Sequence, residues 1–115
     1  MQSNIIVNLQ IEGTHQWSAC PIEEVSFLKE KHRHIFHIEC KKSVTHHDRE
    51  IEIIQLKRKI QYFLIDMYGI DFRRANGCDF GELSCEQIAT ILLNKFELNY
   101  CKVLEDGENG AEIFL

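Results

Sequence analysis

Apolar and polar residues alternate near the start of the chain, and this pattern most constrains how the chain can fold. Residues 5–11 place an isoleucine, valine or leucine at every second position. Because successive side chains of a strand point to opposite faces, the alternation predicts a β-strand with one apolar face. Gly13 and then His15 continue the same parity. The imidazole of His15 is therefore expected at the end of that face.

A second strand, predicted at about 34–44, also begins with histidines. His32 and His34 are separated only by Arg33, so on a strand their side chains point the same way. If the two strands are neighbours, these imidazoles and that of His15 converge. Three neutral nitrogens at about 2.0–2.1 Å, with a fourth position open, are typical of a catalytic zinc site. The alternative interpretation is histidines that are solvated or hydrogen-bonded within the core.

The hydrophobic period changes in the middle of the chain. Apolar residues recur at intervals of three and four over residues 53–67, which predicts an amphipathic helix that ends near Gly69. Ser84 is followed three residues later by Gln87, the spacing of a capping box. A second helix is therefore predicted at about 85–96.

A polar segment separates the two predicted helices. The pair Asn76-Gly77 is a typical breaker, so residues 71–79 are expected to form a loop. Two adjacent arginines in this segment, Arg73 and Arg74, are interpreted as solvated in preference to a phosphate clamp.

Two short strands are predicted to close the chain, at 100–104 and 111–114, with a turn-rich hairpin tip between them. The order of elements is then β-β-α-α-β-β, which predicts a single α+β domain over residues 1–115. A sheet with helices on one face leaves its other face uncovered. We therefore expect the chain to form a homo-oligomer.

Composition excludes several classes of function. The net charge of −5 argues against a protein that follows nucleic-acid phosphates, although one small anionic ligand could still bind locally. No apolar run approaches the ~20 residues that span a bilayer, so no membrane is expected. The five cysteines are scattered without a C-x-x-C pair, and the first residues do not resemble a signal peptide. Together these features predict a cytoplasmic protein with reduced thiols.

Several motifs, in order along the chain, carry a resemblance to a known family. Ile11-Glu12-Gly13-Thr14-His15 resembles a strand ending F-x-A-x-H, and His32-Arg33-His34-Ile35-Phe36 resembles a strand opening on H-G-H. The chain thus resembles the tunnelling-fold enzymes 6-pyruvoyl-tetrahydropterin synthase and 6-carboxytetrahydropterin synthase. Looser matches are Glu52-Ile53-Ile54-Gln55-Leu56-Lys57 to D-F-x-x-L-K, Leu83-Ser84-Cys85-Glu86 to P-T-x-E and Val103-Leu104-Glu105 to V-x-E.

The resemblance implies a tunnelling fold, in which a four-stranded antiparallel sheet carries two helices on one face and subunits assemble as a ring of trimers or a hexamer. It implies zinc on the three histidines and a pterin- or purine-type heterocycle as ligand. Glu105 would hold the guanidine-like edge of that ligand through two N–H groups. Glu86 and Arg33 are further candidates for ligand binding, the latter for an anionic group. Trp17 is a candidate stacking plate for a flat ring, against the alternative of core or interface packing.

The chain departs from the family at its nucleophile. The family has a cysteine a few residues before H-x-H, whereas here the nearest upstream thiol is Cys20. Weak candidates for a proton-transfer base are Cys20, His37 and His47. Two functions follow: a zinc-dependent lyase acting on a heterocycle, or a non-catalytic oligomer that binds or sequesters a nucleotide-like molecule and could be phage-encoded. A domain with neither metal nor ligand is the third possibility.

Overall fold

The computed structural model describes residues 1–70 and 77–115, and within them the chain forms five strands that make one mixed sheet. The elements are β1 (Ser3–His15), β2 (His32–Val44), α1 (Ile53–Tyr68), β3 (Gly77–Asp79), α2 (Cys85–Lys95), β4 (Tyr100–Glu105), β5 (Asn109–Phe114) and a short 3₁₀ segment (Glu23–Lys29) between β1 and β2. The sheet order is β3-β1-β2-β4-β5. The long strands β1 and β2 pair antiparallel, as do β2 with β4 and β4 with β5.

The prediction of a four-stranded antiparallel tunnelling fold is wrong for this chain. The structure is α+β, but its sheet has a fifth strand, β3, which pairs parallel to β1 at Glu12, Gly13 and Thr14. This strand lies at residues 77–79, inside the segment predicted to be a loop. Its three residues are too few to show a strand period, and its pairing partner lies some 65 residues earlier in the chain.

The register of β1 and β2 places the alternating apolar residues of both strands on the same face of the sheet. His15 pairs with His32, and the residues of β2 that follow on the same face, from Phe36 to Cys40, are buried. Gly13 is required at its position, because a Cβ there would lie 2.6 Å from the ring of Phe80. The two strands thus carry the three histidines at one end of the core face.

Both α-helices pack on that face and complete a single core. Helix α1 buries Leu56, Ile60 and Leu64, as its period predicts. The two ends of the predicted apolar stripe are not buried, since Ile53 is 52% exposed and Met67 is 61% exposed. In the described part of the chain, α1 packs mainly on β1 and the three-residue β3, a narrow part of the sheet that leaves the ends of the stripe exposed.

The start of α2 forms the capping box that the sequence predicts. The Ser84 hydroxyl accepts a hydrogen bond from the Gln87 N–H at 3.1 Å, and the Gln87 side chain accepts one from the Ser84 N–H at 2.9 Å. Ser84→Ala should lower the free energy of unfolding by about 1 kcal/mol, measured by urea denaturation. The control is Ser26→Ala at an exposed site, expected within about 0.5 kcal/mol of wild type. Equal stability of the two variants would contradict this role of the cap.

Candidate metal centre

Three imidazole rings meet where β1 ends and β2 begins. The ring centroids of His15 and His32 are 4.5 Å apart, and that of His34 lies 5.4 Å from the first and 5.1 Å from the second. The rings stand edge to face, so they are not stacked. The structure therefore brings together the three histidines that the sequence singled out.

Main-chain oxygens orient two of these rings. Nδ1 of His15 donates to the carbonyl of Leu83 at 2.9 Å, and Nδ1 of His32 donates to the carbonyl of Glu30 at 2.8 Å. A carbonyl oxygen only accepts, so in each neutral ring the proton is on Nδ1 and the lone pair is on Nε2. A metal-binding histidine is commonly held in this way through its other ring nitrogen.

A carboxylate orients the third ring. Nδ1 of His34 donates to Oδ2 of Asp106 at 2.8 Å, while Oδ1 of the same residue accepts the N–H of Ile35 at 2.9 Å. Asp106 follows β4 directly and has a φ of 56°, in the left-handed region that aspartate tolerates in turns. A carboxylate–histidine pair of this kind fixes the tautomer and makes Nε2 a stronger ligand.

Glu105, the last residue of β4, brings a carboxylate to the same point. Its Oε2 is 2.9 Å from Nε2 of His15, and its Oε1 is 3.6 Å from Nε2 of His34. The 2.9 Å contact is close but not aligned for a hydrogen bond, and within the described residues both of these buried nitrogens lack a hydrogen-bond partner. One donor atom from each of His15, His32, His34 and Glu105 lies within 4.8 Å of the others, so this group could hold a metal ion.

The charges of the centre reinforce one another. Burial lowers the pKa of His15, but the Glu105 carboxylate and the Leu83 carbonyl outweigh it and raise the pKa above its ordinary value. The His15 ring lowers the pKa of Glu105, with further contributions from His34 and His32 against the effect of burial. Glu105 is therefore ionised at neutral pH, which is the form that binds a cation.

Two phenylalanine rings pack beside the histidines of the centre. The Phe36 ring lies edge to face against His15 at 5.3 Å and against His34 at 5.7 Å between centroids. The Phe80 ring packs against the Phe36 ring, with 5.1 Å between the centroids. Both phenylalanines are buried. Their packing restricts the histidine rotamers, which keeps the donor atoms in place.

A cavity of about 790 Å³ opens beside the centre. His15, His32 and Glu105 line it, together with residues at the start of α2. Among the described residues its lining contains three glutamates and no lysine or arginine. Its size is within the usual range for small-molecule sites. Its charge favours ligands that present N–H groups or positive charge.

The residues predicted to bind a ligand are divided between this cavity and the rest of the molecule. Trp17 and Glu86 line the cavity and are exposed, and Glu105 lines it together with His15 and His32. Arg33 points to the other face of the sheet, where its Nε donates to Glu12 at 2.7 Å. The structure therefore does not bring Arg33 to the cavity.

None of the three candidate bases lines the cavity. Cys20 is buried, and its thiol faces the carbonyls of Ile22 and Val25 at 3.7 Å each. His37 lies on the opposite face of β2 from His34, and His47 is exposed in the turn beyond the far end of that strand. The arginines interpreted as solvated, Arg73 and Arg74, lie outside the described residues.

Sequence reasoning missed two residues of the site. Asp106 lies in the turn-rich hairpin tip that the sequence predicts, and its contact with His34 follows only from the three-dimensional structure. Cys85 lines the cavity, and its thiol lies 3.8 Å from Oε2 of Glu105. Burial, together with the neighbouring Glu105 charge, raises the pKa of Cys85 to about 12, so it is a neutral thiol.

No family model and no curated protein matches this chain. Among solved structures, the crystal structure of an uncharacterized protein from Wolinella succinogenes is similar, with a TM-score of 0.66. The match has 12% sequence identity and covers 99% of this chain and 98% of that chain. This likeness shows a shared fold. In the described part of the chain, no helix has the length and apolar character needed to cross a membrane.

Proposed function

We propose that this protein binds one zinc ion through His15, His32 and His34, and binds a small heterocycle in the adjoining cavity. The observation that carries the proposal is that donor atoms of His15, His32 and His34 lie within 4.8 Å of one another, while the Nδ1 atom of each ring is held by an oxygen. Histidines that were merely solvated at the surface would not be expected to share one tautomer and to converge on one point. Imidazole nitrogens with a carboxylate form a donor set that suits zinc among the common divalent metals.

The chemistry of the cavity supports binding in preference to family-type lyase activity. The acidic lining suits the N–H edge of a pterin- or purine-type ring, and Trp17 in the same lining offers an indole face on which such a ring would stack. The same charges oppose a triphosphate. Cys20, the nearest thiol upstream of His32 and a weak candidate base, is not among the residues that line the cavity. A bound zinc would polarise a ligand atom, but a lyase also needs a positioned base.

The test measures binding and turnover separately. Zinc-loaded protein should be stabilised against thermal unfolding by pterin or guanine, because a ligand that binds only the folded state raises stability by mass action. It should not convert dihydroneopterin triphosphate. Turnover of that compound would instead select the lyase, and a thermal midpoint that neither heterocycle changes would contradict the ligand class.

Asp106 provides a further prediction. Asp106→Asn removes the negative charge that orients His34 while it keeps the size of the side chain. Zinc affinity, measured by competition with a chromophoric chelator, should fall about 10- to 100-fold, the usual loss for partners of metal-bound histidines. Asp48→Asn, in an exposed turn beyond the other end of β2, is the control and should bind zinc as wild type does. Equal affinity of both variants would show that Asp106 does not support the site.

We also propose that the protein is a cytoplasmic homo-oligomer, in a ring of trimers or a hexamer. Strand β1 supports assembly, since within the described residues β3 pairs only with Glu12, Gly13 and Thr14. The remaining edge of β1, over residues 3–11, presents main-chain groups without a partner strand in the same part of the chain. Exposed edges of this length are readily paired by another strand.

A further inference from the structure

We infer that Glu105 is the fourth ligand of the metal ion, in the position that the three-histidine site would otherwise leave open. This inference rests on the proposed zinc site and gives Glu105 a different role from the ligand anchor that the sequence suggests. It is carried by the contact between Oε2 of Glu105 and Nε2 of His15 at 2.9 Å.

The tautomers make this contact unfavourable unless a cation lies beside it. The Nδ1 atom of His15 carries the ring proton, because its partner is a carbonyl oxygen. Nε2 therefore presents a lone pair to an ionised carboxylate at 2.9 Å. A second proton on Nε2 would lie in the ring plane along the bisector, and the contact is not aligned for that hydrogen bond. A metal ion that lies off the line between the two atoms is attracted to both.

Two of the donor distances can be compared with those around a tetrahedral ion. Bonds of about 2.0–2.1 Å place neighbouring donors of a tetrahedron roughly 3.3 Å apart. Oε2 of Glu105 lies 2.9 Å from Nε2 of His15 and its Oε1 lies 3.6 Å from Nε2 of His34, so each carboxylate oxygen is near that spacing from one ring nitrogen. Glu105 also pairs with Phe36 across the β2–β4 ladder, two residues after His34 in β2. The sheet itself therefore holds the carboxylate against the rings.

Burial separates Glu105 from the other acidic residues of the cavity. His15 is only 7% exposed, and its Nε2 atom has no hydrogen-bond partner among the described residues and lies 2.9 Å from Oε2 of Glu105. By contrast, Glu82 is exposed and is occupied by two hydrogen bonds from Ser18. Glu86 is exposed as well. A fourth protein ligand lowers the charge of the centre from +2 to +1 and fills its tetrahedron, so a molecule in the cavity lies beside the ion and does not bind to it.

Cobalt(II) substitution tests the inference, because the visible absorption of cobalt(II) is strong in four-coordinate sites and weaker at higher coordination number. Wild type should give the strong spectrum, and added azide should leave it unchanged. Glu105→Gln should bind cobalt at least about 10-fold more weakly, taking the lower bound for outer-shell partners. Glu105→Ala should give a spectrum that azide alters. Glu24→Gln, an exposed carboxylate that does not line the cavity, is the control and should bind cobalt as wild type does.

The outcomes separate this inference from the proposed function. One set of results would contradict only the role of Glu105: His32→Ala loses cobalt, Glu105→Gln keeps wild-type affinity, and azide changes the wild-type spectrum. The three-histidine zinc site would then be supported, and Glu105 would not be its fourth ligand. If wild type binds no cobalt, the proposed function itself fails. Circular dichroism of each variant shows whether a loss of binding reflects a loss of fold.

Discussion

Replacement of His32 by alanine is expected to weaken zinc binding by about 100-fold or more. Structural zinc sites contribute roughly 10–16 kcal/mol over four ligands, or roughly 3 kcal/mol for each, and 1.4 kcal/mol corresponds to a factor of ten. The ring of His32 is half-buried at the start of β2, contacts the other two histidine rings and is not part of the hydrophobic core, so its removal should leave the core intact. Isothermal titration with zinc measures the change directly.

His37→Ala is the matched control for this experiment. His37 belongs to the same strand but faces the opposite side of the sheet from His32. Its loss should leave zinc affinity within about twofold of wild type, since distant sites are usually independent. Similar losses in both variants would indicate adventitious binding by scattered histidines, in contradiction to a defined centre.

Phe36→Ala is expected to lower the free energy of unfolding by about 3–5 kcal/mol, the usual cost of removing a buried phenylalanine ring. Phe36 is fully buried and contacts both the core and two rings of the metal centre. The cavity left behind should also loosen His15 and His34, so zinc affinity should fall with stability. Urea denaturation of the metal-free protein measures the first effect and zinc titration the second.

Phe27→Ala removes the same ring from a site where it is 66% exposed. Its stability should remain within about 0.5 kcal/mol of wild type. A comparable loss of stability in both variants would mean that the burial of the Phe36 ring is not what stabilises the core. An unchanged zinc affinity in a destabilised Phe36→Ala protein would instead separate the centre from its aromatic support.

The alternation of residues 5–11 and the parity of His15, His32 and His34 were sufficient to predict one end of the core face. Strand parity is a local property, so it can be read without knowledge of the partner strand. The capping box at Ser84 is local for the same reason, and it marks the observed start of α2.

Long-range pairing explains what the sequence did not reveal. Strand β3 is defined only by its contact with β1, and three residues carry no period. The position of Glu105 depends on the register of β4 against β2, which places it across from Phe36. Asp106 reaches His34 because the hairpin after β4 turns through a left-handed residue, a conformation that aspartate adopts only in some contexts. Sequence analysis therefore identified the imidazoles but left open what would occupy the fourth position.

The most direct test of the metal centre is a crystal of protein purified without chelators, measured on both sides of the zinc absorption edge. We expect an anomalous difference peak about 2 Å from Nε2 of each of His15, His32 and His34. Elemental analysis of the same preparation should give about one zinc per chain. The decisive negative result would come from a crystal soaked with zinc. If the three rings keep the observed arrangement and no anomalous peak lies between them, the proposed zinc site is contradicted.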